Sequence, residues 1–244
     1  MNINSILRMY TIFVNIVFLT IASLEDIKRR EVSNNTWKTM VILCMPAIIF
    51  YLIRDGLREV IQYIISAVLI SAMAIALYLA GLIMGGDAKG IIALSLCNLP
   101  GVSGLLPVSL LTFMNGAIST LLVIPIIVFW NLYVKLVRGI SLFEGYHVKP
   151  YIKALCPFIA IKVRYGSIKD VINIKYAIIE RTDEGQRTIR LTRIENEKSP
   201  SFEDDEYVWA MPLLPFLLFL LIGYILSIKG VNLAFRIVML LMSH

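Results

Sequence analysis

Six runs of apolar residues determine what this chain can fold into. The runs cover residues 9–23, 40–53, 60–84, 88–99, 107–133 and 212–228. A helix of about 20 apolar residues crosses the hydrocarbon core of a bilayer, and most of the runs approach that length alone or with their flanks. Because 58% of the residues are hydrophobic and only 16% are charged, the chain is more apolar than a soluble domain. We predict an all-α polytopic membrane protein with about six transmembrane helices.

Residues 139–206 form a polar insertion between the fifth and sixth runs. The insertion contains 11 basic and 11 acidic residues, so the chain's net charge of +6 comes from the edges of the apolar runs. Such a distribution indicates membrane topology and argues against nucleic-acid binding. We therefore expect membrane helices 1 to 5 in residues 1–138 and a cytoplasmic α+β insertion at 139–206. Residues 207–244 would supply the last transmembrane helix and a short interfacial helix.

A β-hairpin is predicted inside the insertion. Residues 176–181 and 188–192 are rich in β-branched side chains, and the turn-like sequence 182–186 separates them. Two such segments joined by a short polar turn are typical of antiparallel hairpins.

The basic run Lys28-Arg29-Arg30 gives the clearest indication of orientation. It directly follows the first apolar run, and basic residues at the ends of membrane helices favour the cytoplasmic side. The end of the first helix is then cytoplasmic and the N-terminus lies outside. The second and third apolar runs then cross outward and back, which also brings the sequence Gly85-Gly86-Asp87 to the cytoplasmic side.

Asp87 is the most unusual residue of the apolar part. It is the only carboxylate between Val60 and Leu142, and Gly85 and Gly86 precede it. A carboxylate beside hydrocarbon is costly, so such residues tend to face a cavity, a partner or a reaction. Glycines allow another chain to approach the backbone closely. The alternative is that Asp87 and Lys89 cap a membrane helix at the water interface.

Asp26 is the second candidate carboxylate. It falls near the C-terminal end of the first helix, where the helix dipole disfavours negative charge. The alternative is that Asp26 is a solvated partner of the basic run that follows it. Counting helices places Asp26 and Asp87 on the same side of the membrane, which favours a shared role.

Two carboxylates at one membrane face could perform aspartic-protease chemistry. Two close carboxylates do not both ionise easily, so the pair shares one proton. The ionised member can activate water, while the protonated member polarises the carbonyl and then protonates the leaving amine. Cys44, Cys97 and Cys156 are scattered, and His147 and His244 are the only histidines. We therefore predict no metal site, no cofactor and no Ser/His or Cys/His dyad.

The two aspartate sequences, Asp26-Ile-Lys-Arg-Arg-Glu-Val-Ser-Asn and Gly85-Gly86-Asp87-Ala-Lys89, resemble the two motifs of the type IV prepilin peptidase family. They resemble its archaeal preflagellin peptidase branch most closely. The resemblance extends over most of the membrane part, including Met211-Pro212-Leu-Leu-Pro215, but not over the insertion. The family pattern is Gly-x-Gly-Asp, and Met84 stands here at the first glycine position.

The resemblance implies a membrane aspartic endopeptidase that cleaves preflagellin or prepilin precursors at the cytoplasmic membrane face. Asp26 and Asp87 would be the catalytic pair. Gly85 and Gly86 would shape the approach to them, and Lys89 would be an accompanying motif residue. The bacterial members of the family carry a cysteine-rich cytoplasmic domain and also methylate the new N-terminus. This chain has no such cysteines, so cleavage alone is expected.

Three other functions compete with this one. A presenilin-like protease would cut its substrate inside the bilayer. A small transporter or ion pathway would use Asp87 as an intramembrane proton or cation site and would give Asp26 no special role. A non-catalytic assembly subunit would tolerate asparagine in place of both aspartates.

Overall fold

The computed structural model describes residues 3–99, 106–172, 175–183, 186–189 and 202–243. The chain divides into two compact units. A membrane unit contains residues Met1–Thr120 and Pro215–His244, and a second unit contains Leu121–Leu214. Each unit has its own hydrophobic core.

Three long helices begin the membrane unit. They are α1 (Ile3–Arg29), α2 (Asn34–Asp55) and α3 (Leu57–Leu79). Helix α3 is shorter than the apolar run 60–84 predicted, because Gly81 adopts a left-handed φ of 71° and ends it. The N–H of Gly81 bonds to the carbonyl of Tyr78, and that of Leu82 bonds to the carbonyl of Leu77, which is a Schellman termination.

Two shorter helices, α4 (Gly85–Cys97) and α5 (Val108–Thr120), follow in the same unit. Helix α4 has 13 residues and is therefore about 20 Å long, less than the roughly 30 Å of a hydrocarbon core.

The last two helices of the membrane unit are α9 (Phe216–Ile228) and α10 (Leu233–Met242). The axes of this pair are bent by 74°. Helix α9 begins four residues later than the sixth apolar run predicted, because Pro212 belongs to a strand. Pro215 is the residue immediately before the helix. A proline at this position lacks only an N–H that the first helical turn would leave unbonded.

The predicted number of six membrane-crossing helices is not confirmed. Among the described residues, four stretches are long and apolar enough to cross a membrane, and the bent pair α9–α10 would make a fifth. The four stretches are Ile3–Arg29, Asn34–Arg54, Leu57–Leu79 and Val108–Leu136. The apolar run at 88–99 does not make another, because α4 is too short. Several apolar helices nevertheless indicate a multi-pass membrane protein.

The second unit is α+β. Its helices are α6 (Val123–Leu136), α7 (Pro150–Ile159) and the single turn α8 (Tyr165–Ile168), which leads into a 3₁₀ turn at Lys169–Val171. The side chain of Asn131 connects α6 with α7 and with the first strand of the unit. Its side-chain amide donates to the carbonyls of Pro157 (3.0 Å) and Ala160 (2.7 Å) and accepts from the N–H of Lys162 (2.9 Å).

A three-stranded antiparallel sheet has the order β1 (Ile161–Arg164), β5 (Tyr207–Pro212), β2 (Tyr176–Ile178). The predicted hairpin is also found, as β3 (Glu180–Asp183) paired with β4 (Gln186–Ile189). The segment expected to be its first strand, 176–181, is divided, because its first half pairs with the central strand β5. The predicted strand residues 190–192 lie outside the described part of the chain.

The core of the second unit contains a buried ion cluster. Lys162 and Glu180 are each 2% exposed, and their Nζ and Oε1 atoms are 3.2 Å apart. Glu180 Oε1 also accepts from the Tyr146 hydroxyl and the Trp209 N–H. Burial lowers the pKa of Lys162 to about 8, and the charge of Glu180 opposes that effect. Glu180 Oε2 accepts no hydrogen bond from the described residues.

Replacing Lys162 with methionine should lower the free energy of unfolding of the second unit by about 3–5 kcal/mol, because Glu180 would stay buried without its counter-ion. The double variant Lys162→Met, Glu180→Leu should recover most of this loss. Urea unfolding followed by tryptophan fluorescence would measure it. Additive losses in the double variant would contradict the idea of a charge pair.

Glycines permit close packing of α5 on α9. A Cβ added to Gly223 would clash with the Thr112 carbonyl oxygen and lie 2.5 Å from the Gly116 nitrogen. A Cβ added to Gly116 would lie 3.1 Å from the Phe219 carbonyl oxygen. Small residues facing each other in this way allow two membrane helices to approach closely.

Gly223→Ala should therefore destabilise the membrane unit by about 1–3 kcal/mol, because α5 and α9 would have to move apart. Thermal unfolding in detergent would measure the loss. Ile222→Val, on the partly exposed side of the same helix, is the control and should leave the unfolding temperature almost unchanged. Equal effects of the two substitutions would show that the close approach is unimportant.

Candidate active site

Asp26 lies in the last turn of α1 and is 7% exposed. Its Oδ1 is 4.0 Å from the Nη1 of Arg30, one turn later. Its Oδ2 is buried and accepts no hydrogen bond of normal geometry from the described residues. The main-chain N–H of Leu217, in the first turn of α9, interacts electrostatically with the carboxyl group. Asp26 thus lies near the positive end of a second helix.

The connection between α1 and α2 holds the chain end that follows Asp26. Arg30 adopts a left-handed φ of 58°, which ends α1. Glu25 then joins the two helices, because its Oε2 accepts from the Ser33 N–H (3.2 Å) and the Thr36 hydroxyl (3.3 Å). Ser33 caps α2 by accepting from the Asn35 N–H (3.3 Å). Glu25 therefore has a structural role that the sequence did not reveal.

Asp87 is the third residue of α4 and is 8% exposed. Its Oδ2 accepts from the Met84 N–H (3.2 Å), so the carboxylate caps the helix to which it belongs. Asp87 therefore does cap a helix, as the alternative interpretation of the sequence expected, but its side chain is buried rather than exposed to water. Gly85 and Gly86 form the first turn, and a Cβ on Gly86 would meet nothing within 4 Å. The space beside this turn is therefore open.

The charges around Asp87 connect it to Asp26. Burial raises the pKa of Asp87 to about 6, and the hydrogen bond from the Met84 N–H opposes the rise. The negative charge of Asp26 contributes to this rise, and the positive charge of Arg30 opposes it. Asp26, Asp87 and Arg30 therefore form one electrostatic cluster. Arg30 was expected only to set topology, and its part in the cluster is visible only in three dimensions.

Lys89 does not point toward the same side of α4 as Asp87. Two residues along a helix are about 200° apart around its axis. The Lys89 ammonium donates to Asn34 Oδ1 on α2 (2.7 Å). An open groove of about 580 Å³ begins at this pair and runs between α2 and α4. Its floor is apolar and is lined by Trp37, Val41, Ile42, Ile92, Ala93 and Leu96.

Within the described part of the chain, no three His, Cys, Asp or Glu side chains come together in a group that could hold a metal ion. The buried cysteine Cys97 instead donates to the Met40 carbonyl (3.8 Å). The chemistry available at the cluster is that of two carboxyl groups and one guanidinium.

Comparison with known proteins shows which family this arrangement is similar to. Residues 13–124 match the model of the type IV leader peptidase family, and this range includes both aspartates. The resemblance drawn from the two aspartate motifs is thereby confirmed. The match covers 112 of the 244 residues, a little under half of the chain.

Two individual relatives are similar to the chain over most of its length. The chain is 26% identical over 235 residues to a preflagellin peptidase of Methanocaldococcus jannaschii, covering 90% of this chain and 93% of the relative. It is 24% identical over 231 residues to a preflagellin peptidase of Methanococcus voltae, covering 88% of this chain and 92% of the relative. The similarity therefore extends beyond the aspartate motifs to nearly the whole chain.

The raised pKa of Asp87 makes stability depend on pH. Between the ordinary value of 3.8 and about 6 the folded protein holds a proton that the unfolded chain releases, so stability falls as the pH rises through this window. The fall should be about 2–3 kcal/mol. Asp87→Asn cannot ionise and should lack it. Thermal unfolding in detergent between pH 3.5 and pH 7 would measure the difference.

Glu59→Gln is the control for this experiment, because it removes a carboxylate from the first turn of α3. It should follow the wild-type curve. Parallel curves for wild type and Asp87→Asn would contradict a proton held at Asp87.

Proposed function

We propose that this chain is a membrane aspartic endopeptidase that removes the short basic leader peptide from preflagellins or type IV prepilin-like precursors. Asp26 and Asp87 are its catalytic pair. The observation that carries the proposal is that Asp26 and Asp87 are the two buried carboxylates among the described residues of the membrane unit. The charge of Asp26 also contributes to the raised pKa of Asp87.

We assign the acid role and the base role to the two carboxyl groups from their surroundings. Burial raises the pKa of Asp87 to about 6, so we assign the shared proton to Asp87. The guanidinium of Arg30, 4.0 Å from Asp26, accompanies the negative charge that we assign to Asp26. An acid and a base are then present together near neutral pH, as general acid–base catalysis requires.

Hydrolysis follows from this assignment. Asp26 removes a proton from water, whose oxygen attacks the scissile carbonyl carbon, while Asp87 donates its proton to the carbonyl oxygen. The tetrahedral intermediate collapses when Asp26 passes its proton to the leaving amide nitrogen. The intermediate's hydroxyl proton returns to Asp87, the C–N bond breaks, and the pair regains its initial state.

The membrane face of the reaction is inferred from charge. Asp26 is followed by Lys28, Arg29 and Arg30, and basic residues at this boundary favour the cytoplasm. A leader with basic residues can remain in water there while the substrate's apolar helix enters the bilayer.

The proposal is tested by incubating the purified protein with a tagged preflagellin and following leader removal by mass spectrometry. Asp26→Asn and Asp87→Asn should each reduce cleavage by about 10²–10⁴-fold, because each removes one proton-transfer group. The double variant should be no less active than the weaker single variant, since the two carboxyl groups act as one unit.

Glu59→Gln is the matched control and should cleave like wild type. Unfolding temperatures in detergent would show whether each variant is folded. Folded aspartate variants that cleave at the wild-type rate would overturn the proposal, as would ion flux through wild-type protein in vesicles without any cleavage of preflagellin or prepilin.

A further inference from the structure

A group of polar side chains lies inside the membrane unit, well away from the aspartates. Asn15 of α1 is 0% exposed. Its Nδ2 donates to the Tyr224 hydroxyl of α9 (2.9 Å) and to Oδ1 of Asn98, which follows α4 directly (3.2 Å). Its Oδ1 accepts from the Cys44 thiol of α2 (3.6 Å). One amide thus joins four helices.

The other polar groups of this cluster also form hydrogen bonds, with one another and with the backbone of α4. The Tyr224 hydroxyl donates to Asn98 Oδ1 (3.1 Å), and Asn98 Nδ2 donates to the Leu94 carbonyl (2.7 Å). An amide without partners in hydrocarbon costs several kcal/mol. Sliding α1 along α4 by one residue, about 1.5 Å, would break these bonds. The group therefore specifies one register between the two helices.

Equal sequence spacings relate the positions of the two asparagines to the positions of the two aspartates. Asn15 precedes Asp26 by 11 residues, and Asn98 follows Asp87 by 11 residues. Eleven residues make about three helical turns and rise about 16 Å. Asn15 therefore lies on the same side of α1 as Asp26, and Asn98, the residue directly after α4, leaves that helix on the side that carries Asp87. Because Asn15 touches Asn98 and the Asp26 charge reaches Asp87, α1 and α4 run antiparallel, with both pairs at matching heights.

The aspartates do not fix this register themselves. Asp87 bonds to the Met84 N–H at the start of its own helix, and Asp26 Oδ2 accepts no hydrogen bond of normal geometry from the described residues. In this part of the chain no hydrogen bond joins the two carboxyl groups. The separation of the pair must be set elsewhere.

We propose that Asn15, Asn98 and Tyr224 are positioning residues that lock the register of α1 against α4 and thereby hold Asp26 and Asp87 face to face. The catalytic consequence rests on the proposed function, whereas the register itself does not. Loss of Asn15 should separate the carboxyl groups, weaken their mutual repulsion and misplace them toward the substrate.

Asn115 provides a matched control. It is also 0% exposed, and its Nδ2 donates to Ser227 Oγ (3.1 Å) and to the Val231 carbonyl (2.8 Å). It joins α5 to α9 and to the bend before α10, and it contacts neither α1 nor α4 through these bonds. Asn15→Leu and Asn115→Leu therefore remove equally buried amides from different helix pairs.

The first experiment measures proximity without using activity. In the variant Asp26→Cys, Asp87→Cys, mild oxidation should form a disulfide, detected by mass spectrometry of the digested protein. Adding Asn15→Leu should slow its formation severalfold, and adding Asn115→Leu should not. The single variants Asp26→Cys and Asp87→Cys report any disulfide with the native cysteines.

The second experiment uses the intact pair and cleavage of preflagellin. Asn15→Leu should lower kcat about 10–100-fold, as expected for misplacement of about 1 Å. The alkaline limb of the profile of kcat/KM against pH should also move to lower pH. Tyr224→Phe, which removes one hydroxyl, should move both quantities in the same direction by less. Asn115→Leu should lower only the unfolding temperature.

The outcomes separate the two proposals. If Asn15→Leu leaves both the disulfide rate and the pH profile unchanged, the group has a stabilising role only and this inference is wrong. If Asn15→Leu slows the disulfide while Asp26→Asn and Asp87→Asn still cleave, the register inference holds and the proposed function fails. If the double-cysteine protein forms no disulfide at all, the two residues are not held face to face and this inference is wrong, whereas the cleavage measured for Asp26→Asn and Asp87→Asn decides the proposed function.

Discussion

The cost of placing carboxylates beside hydrocarbon controls the organisation of the membrane unit. Each of the two buried aspartates is offset by the positive end of a helix. Asp87 accepts an N–H at the start of α4, and Asp26 lies near the first turn of α9. Arg30 adds a positive charge shared by both. The glycines in the first turn of α4 and the prolines before α9 matter because they help to determine where these helix ends lie.

Asp87 stands out in the sequence because it is isolated among apolar residues, whereas Asp26, beside Glu25 and the basic run, was selected only by its place at a helix end and by counting helices. The hairpin could also be predicted, since β-branched segments around a polar turn are a local pattern. The strand β5 could not, because Tyr207–Pro212 is apolar and leads directly into the last apolar run. Its assignment depends on pairing with β1 and β2, which no local pattern in this segment indicates.

The polar networks were beyond sequence analysis for a similar reason. Lys162 and Glu180 are separated by 18 residues, and Asn15 and Tyr224 by 209 residues. A single asparagine in an apolar helix forms no periodic pattern, and its position in the sequence does not indicate which residue it contacts. Sequence alone could also not distinguish Arg30, which faces the aspartates, from its basic neighbours. Hydropathy identifies the helices, whereas the register between them depends on a few isolated polar atoms.

The shortness of α4 has a consequence for the surrounding lipid. A helix about 20 Å long does not cross a hydrocarbon core of about 30 Å, so we expect a locally thinned bilayer or a water-filled cavity beside it. Asp87 lies in the first turn of this helix, and water has to reach it there for hydrolysis. We therefore expect the hydration of Asp87 to depend on the acyl-chain length of the surrounding lipid.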